Sequence, residues 1–241
     1  HDIDIATIEK NVIFYELNSH VHSNIINNNI PALEYSLPFF NNENISLSME
    51  IQPINEIDVR RHTVNGTINE LYNSRIKTYV IKNNNEGVQG VFIFSKNSLS
   101  AVFTKNNSTY QIDMFQQKDN QSNICFIVDV NNSIIDSEFL CGHDLLDETP
   151  DYLNYDHARA ELTFGCLDIA IEIDYYTFQT FNNYQDALDW ALKMMVVAQS
   201  IYLQQLDLNL VSSSAQIWEI EDPYLDFVND PQNMLIAVRE N

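Results

Sequence analysis

The sequence predicts an α+β fold: a β-rich antiparallel first part followed by a partial α/β unit of strand–helix–strand type. Three observations carry this. From 45 to 130, short apolar–polar alternations of period two are separated by turn residues, the pattern of an antiparallel sandwich or rolled sheet. From Tyr184 to Leu206, apolar residues recur at spacings of three and four, the pattern of a long amphipathic helix. Apolar runs around Leu167 and Leu208 flank that helix, so a βαβ crossover with parallel strands is expected.

In chain order, Ile13-Phe14-Tyr15 and Leu33 to Leu37 read as strands, with a loop at Asn27-Asn28-Asn29 and breaks at Pro31 and Pro38. Ile45, Leu47, Met49 and Ile51 alternate with Ser46, Ser48 and Glu50, a strand with one wet face. Val64-Asn65-Gly66-Thr67 reads as a strand ending in a turn, and Arg75 to Lys82 as a further strand. Val88 to Phe94 is the next, with Gly90 inside it as a bulge or a close-packing site. Lys105-Asn106-Asn107-Ser108 is a hairpin turn between Ser100–Phe103 and Thr109–Phe115, and Asn123 to Val130 closes the series. Residues 131–165 carry little pattern and read as a long acidic connector. In the last part Leu167, Ile169, Ile171 and Ile173 share one strand face. Asn183 caps the long helix, with Asp186 in its first turn, and Met194 and Met195 read as helix packing. Leu208–Leu210 and Ala215–Ile220 supply the next strand, and Pro231 to Arg239 the start of a second helix.

The totals restrict function. The chain has 241 residues, enough for a core without staples, and 12 basic against 34 acidic residues give a net charge of −22. That field argues against nucleic acid and anionic membranes as partners. It reads as a solubilising or salt-adapted surface, because no EF-hand spacing accompanies the acids. No apolar run is long enough to span a membrane. His1-Asp2 is not an initiator Met, so the chain reads as processed or cut, with a secretion signal removed and a secreted, extracellular location. Six Asn-x-Ser/Thr triplets, beginning at Asn44, are expected by chance in so Asn-rich a chain. The three cysteines, Cys125, Cys141 and Cys166, leave at least one thiol unpaired within the chain, and none has Cys-x-x-Cys spacing.

Chemistry-bearing motifs are sparse. There is no Gly-x-Ser-x-Gly elbow, no Walker loop and no dinucleotide fingerprint. His20-x-His22 would place two imidazoles on one face of a strand, but no third metal ligand lies nearby and a surface pair is the simpler reading. His62 follows Arg60-Arg61 and is expected to be exposed. A Cys141–His143 nucleophile–base pair is disfavoured, because side chains at such turn positions diverge and no orienting Asn or Asp is identifiable. No catalytic residue is assigned in this chain.

Two segments resemble secreted zinc metalloendopeptidases of the metzincin clan, in the reprolysin-like (adamalysin-type) group with bacterial relatives. Leu167-Asp168-Ile169-Ala170-Ile171-Glu172-Ile173-Asp174-Tyr175, the 184–206 helix, Asn209-Leu210 and Trp218-Glu219-Ile220-Glu221-Asp222-Pro223-Tyr224 resemble the first strand, first helix and second strand of that catalytic domain. Thr63-Val64-Asn65-Gly66, Ser74-Arg75-Ile76, Gly87 to Phe92 and Thr109-Tyr110-Gln111-Ile112 resemble the β-rich propeptide. In those propeptides a Cys-Gly motif near the end resembles Cys141-Gly142, followed here by His143.

The resemblance implies a domain layout of 1–130 as propeptide-like, 131–165 as connector with the switch, and 166–241 as the incomplete N-terminal portion of a metzincin-like catalytic domain. It implies a cysteine switch, with the Cys141 thiolate as inhibitory zinc ligand and Gly142 and His143 as its neighbours; the alternative is a free or disulfide-bonded cysteine. Cys125 reads as buried. Cys166 reads as buried or bonded, Cys125–Cys166 being one of three pairings. The clan's signature His-Glu-x-x-His-x-x-Gly-x-x-His is absent, so catalytic zinc is expected in the full-length enzyme and not in this chain alone. The implied function is the latent portion of a metalloprotease zymogen. Its partners would be the remainder of the catalytic domain and, for the mature enzyme, protein or peptide substrates. A non-catalytic extracellular module recognising protein or glycan is the rival.

Overall fold

The computed structural model describes residues 12–82, 87–114, 123–132 and 165–224, with single positions 227, 230, 233, 234 and 237. Its strands are β1 (Val12–Glu16), β2 (Ala32–Pro38), β3 (Asn44–Ile51), β4 (Ile57–Thr63), β5 (Gly66–Tyr72), β6 (Lys77–Ile81), β7 (Gln89–Ser95), β8 (Ser98–Lys105), β9 (Ser108–Met114), β10 (Ile124–Asp129), β11 (Gly165–Ile173) and β12 (Leu208–Trp218). The helices are α1 (Ser19–Asn27), α2 (Tyr175–Phe181) and α3 (Tyr184–Leu206).

Eight strands form one antiparallel sheet, order β1-β10-β9-β8-β7-β6-β3-β2, curled into a half-barrel. The period-two pattern dictates this: β3 buries Ile45, Leu47 and Met49 and turns Ser46, Ser48 and Glu50 away. Asn106 and Asn107, at φ 53° and 65°, form the two-residue turn between β8 and β9, with the left-handed backbone that matches strand twist. The aromatic core on one face joins Phe92, Phe94, Phe103 and Tyr79 with Leu37, Ile45 and Leu47.

Helix α1 packs against this core, where the sequence suggests only strands and loop. Asn18 caps it by accepting from the His20 and Val21 amides, and Ile25 buries inward. The helix also buries His22, whose Nε2 donates to the Ser95 carbonyl at 2.7 Å. On a helix, positions two apart point to different sides. His20 is exposed while His22 is buried, so the strand-borne imidazole pair does not form.

The second sheet, order β11-β12-β4-β5, corrects the predicted fold class. β11 and β12 run parallel, with α2 and α3 between them in sequence. They do not form a separate βαβ subdomain: β12 pairs in parallel with β4, and β4 pairs antiparallel with β5. The fold is therefore mostly antiparallel β with three helices among the described residues, not α+β with an independent α/β unit. Single-strand periodicity cannot report this, because the alternation in β4 is the same whichever strand it joins.

Helix α3 lies between the two sheets. Asn183 caps it through the Gln185 and Asp186 amides, and Asp207 ends it in the left-handed conformation at φ 53°. Its Ala187, Leu188, Leu192 and Val196 meet Ile57, Val59, Ile171, Ile173 and Ile217 of the mixed sheet. They also meet Val91 and Ile93 of β7, whose Phe92 and Phe94 face the other core. Met195 packs at the rim, whereas Met194 is 58% exposed and does not serve the packing expected of it. Leu208 and Ala215 belong to one strand, bulged where the β11 register shifts between Ile169 and Ala170.

Gly90 is required by close approach. At φ 155°, a Cβ there would lie 2.3 Å from the Val102 carbonyl oxygen and 2.5 Å from the Phe103 Cα. Gly66, at φ 108° in the β4–β5 turn, has nothing within 4 Å. Gly90→Ala should lower unfolding stability by about 3 kcal/mol, and Gly66→Ala by about 1 kcal/mol, since only the former adds overpacking to backbone strain. Urea midpoints of the two variants check this; equal losses would show that the close approach at β8 is relieved cheaply.

Candidate functional site

The carboxyl ends of the parallel strands β11, β12 and β4 lie side by side, the position where open parallel sheets present side chains to ligands. In register, Trp218 of β12 stands beside His62 of β4, and their rings stack at 3.9 Å between centroids and 11° between planes. His62 is thus half-buried, not the exposed residue its Arg-Arg context suggests. Glu172 of β11 is the acceptor that organises this edge. Its Oε1 receives the Trp218 indole N–H at 2.7 Å, the Tyr224 hydroxyl at 2.6 Å and the Gln216 amide at 3.2 Å. Asp222 receives the Tyr175 and Tyr224 amides, each at 2.8 Å, tying the loop after β12 to the start of α2. The motif Trp218 to Tyr224 is thereby fixed onto β11 and α2 by charge-assisted bonds.

Below Trp218, small residues leave a hollow of about 660 Å³ on the outer face of the mixed sheet. Asp58, Arg60, Asn69, Glu172 and Gln216 line it together with Ala170 and Ser214. The opposite face is committed to structure. Arg61 bridges Glu70 and Glu219 and lies 3.7 Å over the Tyr184 ring. Buried Asp189 of α3 accepts the Tyr72 hydroxyl at 2.8 Å, the Ser74 hydroxyl at 3.1 Å and Arg75 Nε at 2.8 Å. This network holds α3 to the segment after β5 and leaves no carboxylate oxygen unused.

Of the sequence-predicted site residues, Cys141, Gly142 and His143 lie outside the described residues, as do the connector and most of the predicted Pro231–Arg239 helix. Cys125 is fully buried in β10, opposite Tyr15 of β1, and Cys166 is exposed at the start of β11. Both carry free thiols, so the Cys125–Cys166 pairing is not made. Tyr15, Tyr35 and Cys125 meet in the core, and the Tyr15 hydroxyl is buried there without a hydrogen bond of good geometry. Burial pushes the Cys125 thiol up to about 11 and the Tyr35 phenol up to about 12, and it raises Tyr15 further.

Among the described residues no group of three or more His, Cys, Asp or Glu is arranged to hold a metal ion. The described residues therefore offer no ligand set for a catalytic zinc, and no reaction step is assigned to them. Sequence reasoning missed Glu172, His62 and Asp189 as organising residues. The only signal was their place at strand ends or on the polar side of an amphipathic helix, which many residues share.

No family model and no curated protein matches the chain. Among solved structures, it is similar to the crystal structure of metalloproteinase-II from Bacteroides fragilis, at a TM-score of 0.38 and 7% identity over 86% of this chain. The chain spans 59% of the length of that structure's chain.

Two measurements follow from the buried cluster. A folded-state pKa above the unfolded value means that the native chain keeps protons which the unfolded chain releases. The stability tied to Cys125 and Tyr35 is thus fully present below pH 9.0 and lost as the pH rises to about 12. Urea midpoints should fall over that window, and less steeply in Cys125→Ala. In a Cys141→Ser background, a disulfide-exchange reagent at neutral pH should modify one thiol, Cys166, in the folded protein. Cys125 should react only after denaturation; two fast thiols would contradict the burial of β10.

Proposed function

We propose that the chain is the propeptide and N-terminal part of a secreted zinc-dependent metalloendopeptidase zymogen. Cys141 is assigned as the inhibitory ligand, flanked by Gly142 and His143. The remainder of the catalytic domain is the partner, and proteins or peptides are the substrates of the mature enzyme. The reading rests on the sequence resemblance. The observation that supports it in the fold is the shared sheet: β12, from the protease-like segment, takes β4 of the propeptide-like segment as its second parallel neighbour. A propeptide that completes the sheet of the part it silences acts as a folding template as well as an inhibitor. The zinc ligands and the general base belong, in this reading, to the catalytic remainder.

The hollow beside Glu172 favours a second reading, a non-catalytic binding module for protein or glycan.

One experiment separates them. The protein as its source makes it is assayed for zinc and for chelator-sensitive peptidase activity, before and after cleavage between the two segments. The zymogen reading expects bound zinc and activity that appears on cleavage. Cys141→Ser should raise uncleaved activity by about tenfold or more, as loss of a ligand-based block requires. A native protein without zinc, inactive after cleavage, would leave the binding module as the function to pursue.

A further inference from the structure

The hollow on the outer face of the mixed sheet is built from two rows of side chains in register. One row runs Asn69, Arg60, Gln216, Glu172 across β5, β4, β12 and β11. The next runs Leu71, Asp58, Ser214, Ala170 across the same strands. Alternate positions of a strand share a face, and neighbouring strands lie about 4.8 Å apart. The small Ala170 and Ser214 leave the floor open, while Asp58, Arg60, Asn69, Glu172 and Gln216 make the walls. The volume, about 660 Å³, falls inside the range for ligand pockets, roughly 300–1,000 Å³.

Two charges in this hollow have no partner within the described part of the chain. Arg61 closes ion pairs with Glu70 and Glu219, and Arg75 with Asp186 and Asp189. Among the described residues Arg60 closes none, and neither does Asp58, although both are exposed on one strand face two positions apart. In a chain with 34 acidic and 12 basic residues, an arginine without a carboxylate is the exception. Arg60 also stands between two amides in its row, Asn69 and Gln216. The far wall is held in place, because Glu172 Oε1 accepts from Trp218, Tyr224 and Gln216. A guanidinium fork matches a carboxylate, and an ionised Asp, acceptor only, matches an ammonium. Two residues of strand span about 6.6 Å, so a ligand of one or two residues reaches from one charge to the other. A neutral saccharide would leave both charges without an opposite. A simple anion is repelled by the protein's own field, its net charge being −22.

We propose that this hollow binds a small dipolar ligand of amino-acid type, its free carboxylate on Arg60 and its free ammonium on Asp58. A short peptide and a free amino acid both present that pair of groups. The proposal rests on the binding-module reading of the hollow and narrows it to one ligand class. Asn69 and Gln216 supply amide groups on either side of Arg60 for the polar atoms between the ligand's two ends. Both charges are exposed, so each contact is screened, the affinity is modest, and binding weakens as salt is added.

The test uses the whole chain, isotope-labelled for NMR, and five probes: L-alanyl-L-alanine, its N-acetyl form, its C-terminal amide, free L-alanine and D-glucose. The free dipeptide should give saturable shifts at residues 58–60, 69, 170–172 and 214–216, with Kd of about 1 mM. Blocking either end should weaken binding by about threefold or more. Arg60→Gln should abolish the preference for the free carboxylate over the amide and keep the preference for the free ammonium. Asp58→Asn should do the reverse, a crossed pattern that loss of folding cannot produce. L-alanine binding as tightly as the dipeptide would assign the free amino acid as the source of the pair; weaker binding would assign the peptide. No saturable shift with the dipeptide, equal binding of the blocked forms, shifts confined to another face, or absence of the crossed pattern overturns the proposal. D-glucose shifting these residues where the dipeptide does not would overturn the ligand class and leave the binding module standing. Silence of this face toward every probe would count against both.

Discussion

Strand β7 is solvated on neither face, and the two layers of the molecule depend on that. Phe92 and Phe94 enter the aromatic core of the half-barrel, while Val91 and Ile93 meet α3, and all four are fully buried. Each such side chain contributes about 1.5–3 kcal/mol by leaving water. This four-residue run thereby anchors both cores. The close approach of β8 at Gly90 is part of the same constraint, because β7 can be covered on both faces only if its neighbours pack tightly against it. Helix α3, pressed between β7 and the mixed sheet, must be apolar over a wide arc, and its first half is.

What could be read from the sequence follows this division. The long helix is legible because its period persists over many turns and Asn183 supplies a cap; its bounds, Tyr184–Leu206, are those expected from the residues. The alternation in β3 and the Asn106-Asn107 turn are legible for similar local reasons. Helix α1 is not. It has nine residues, too few for propensity to decide, and it is held by tertiary contacts of His22 and Ile25. The mixed sheet was hidden for a different reason: pairing between β4 and β12 is a relation between distant segments, and neither strand alone encodes its neighbour. The His62–Trp218 stack inherits that blindness, being a product of the register. Cys141-Gly142, the motif on which the latency reading turns, falls outside the described residues.

Charge is distributed with equal economy. The carboxylates that matter to the fold are engaged by several donors: Asp189 by Tyr72, Ser74 and Arg75, and Glu172 by Trp218, Gln216 and Tyr224. These bonds fasten helix to hairpin and loop to strand at points where hydrophobic packing ends. The second half of α3, from Val196 to Leu206, and the first half of β12, from Leu208 to Ser212, carry no charged residue.

The pairing of Asp58 with Ser214 also has a temporal side. The two residues are separated by roughly 150 positions, so the loop they close is long and contributes to a high contact order and slow folding. During synthesis β4 and β5 emerge well before β12, and the β4 edge that β12 takes stays open until that strand is made. An exposed edge in a nascent chain is a site for mispairing. β12 is completed late relative to its neighbour β4, so the sheet closes only when these distant segments meet. A window of vulnerability to mispairing therefore opens during translation.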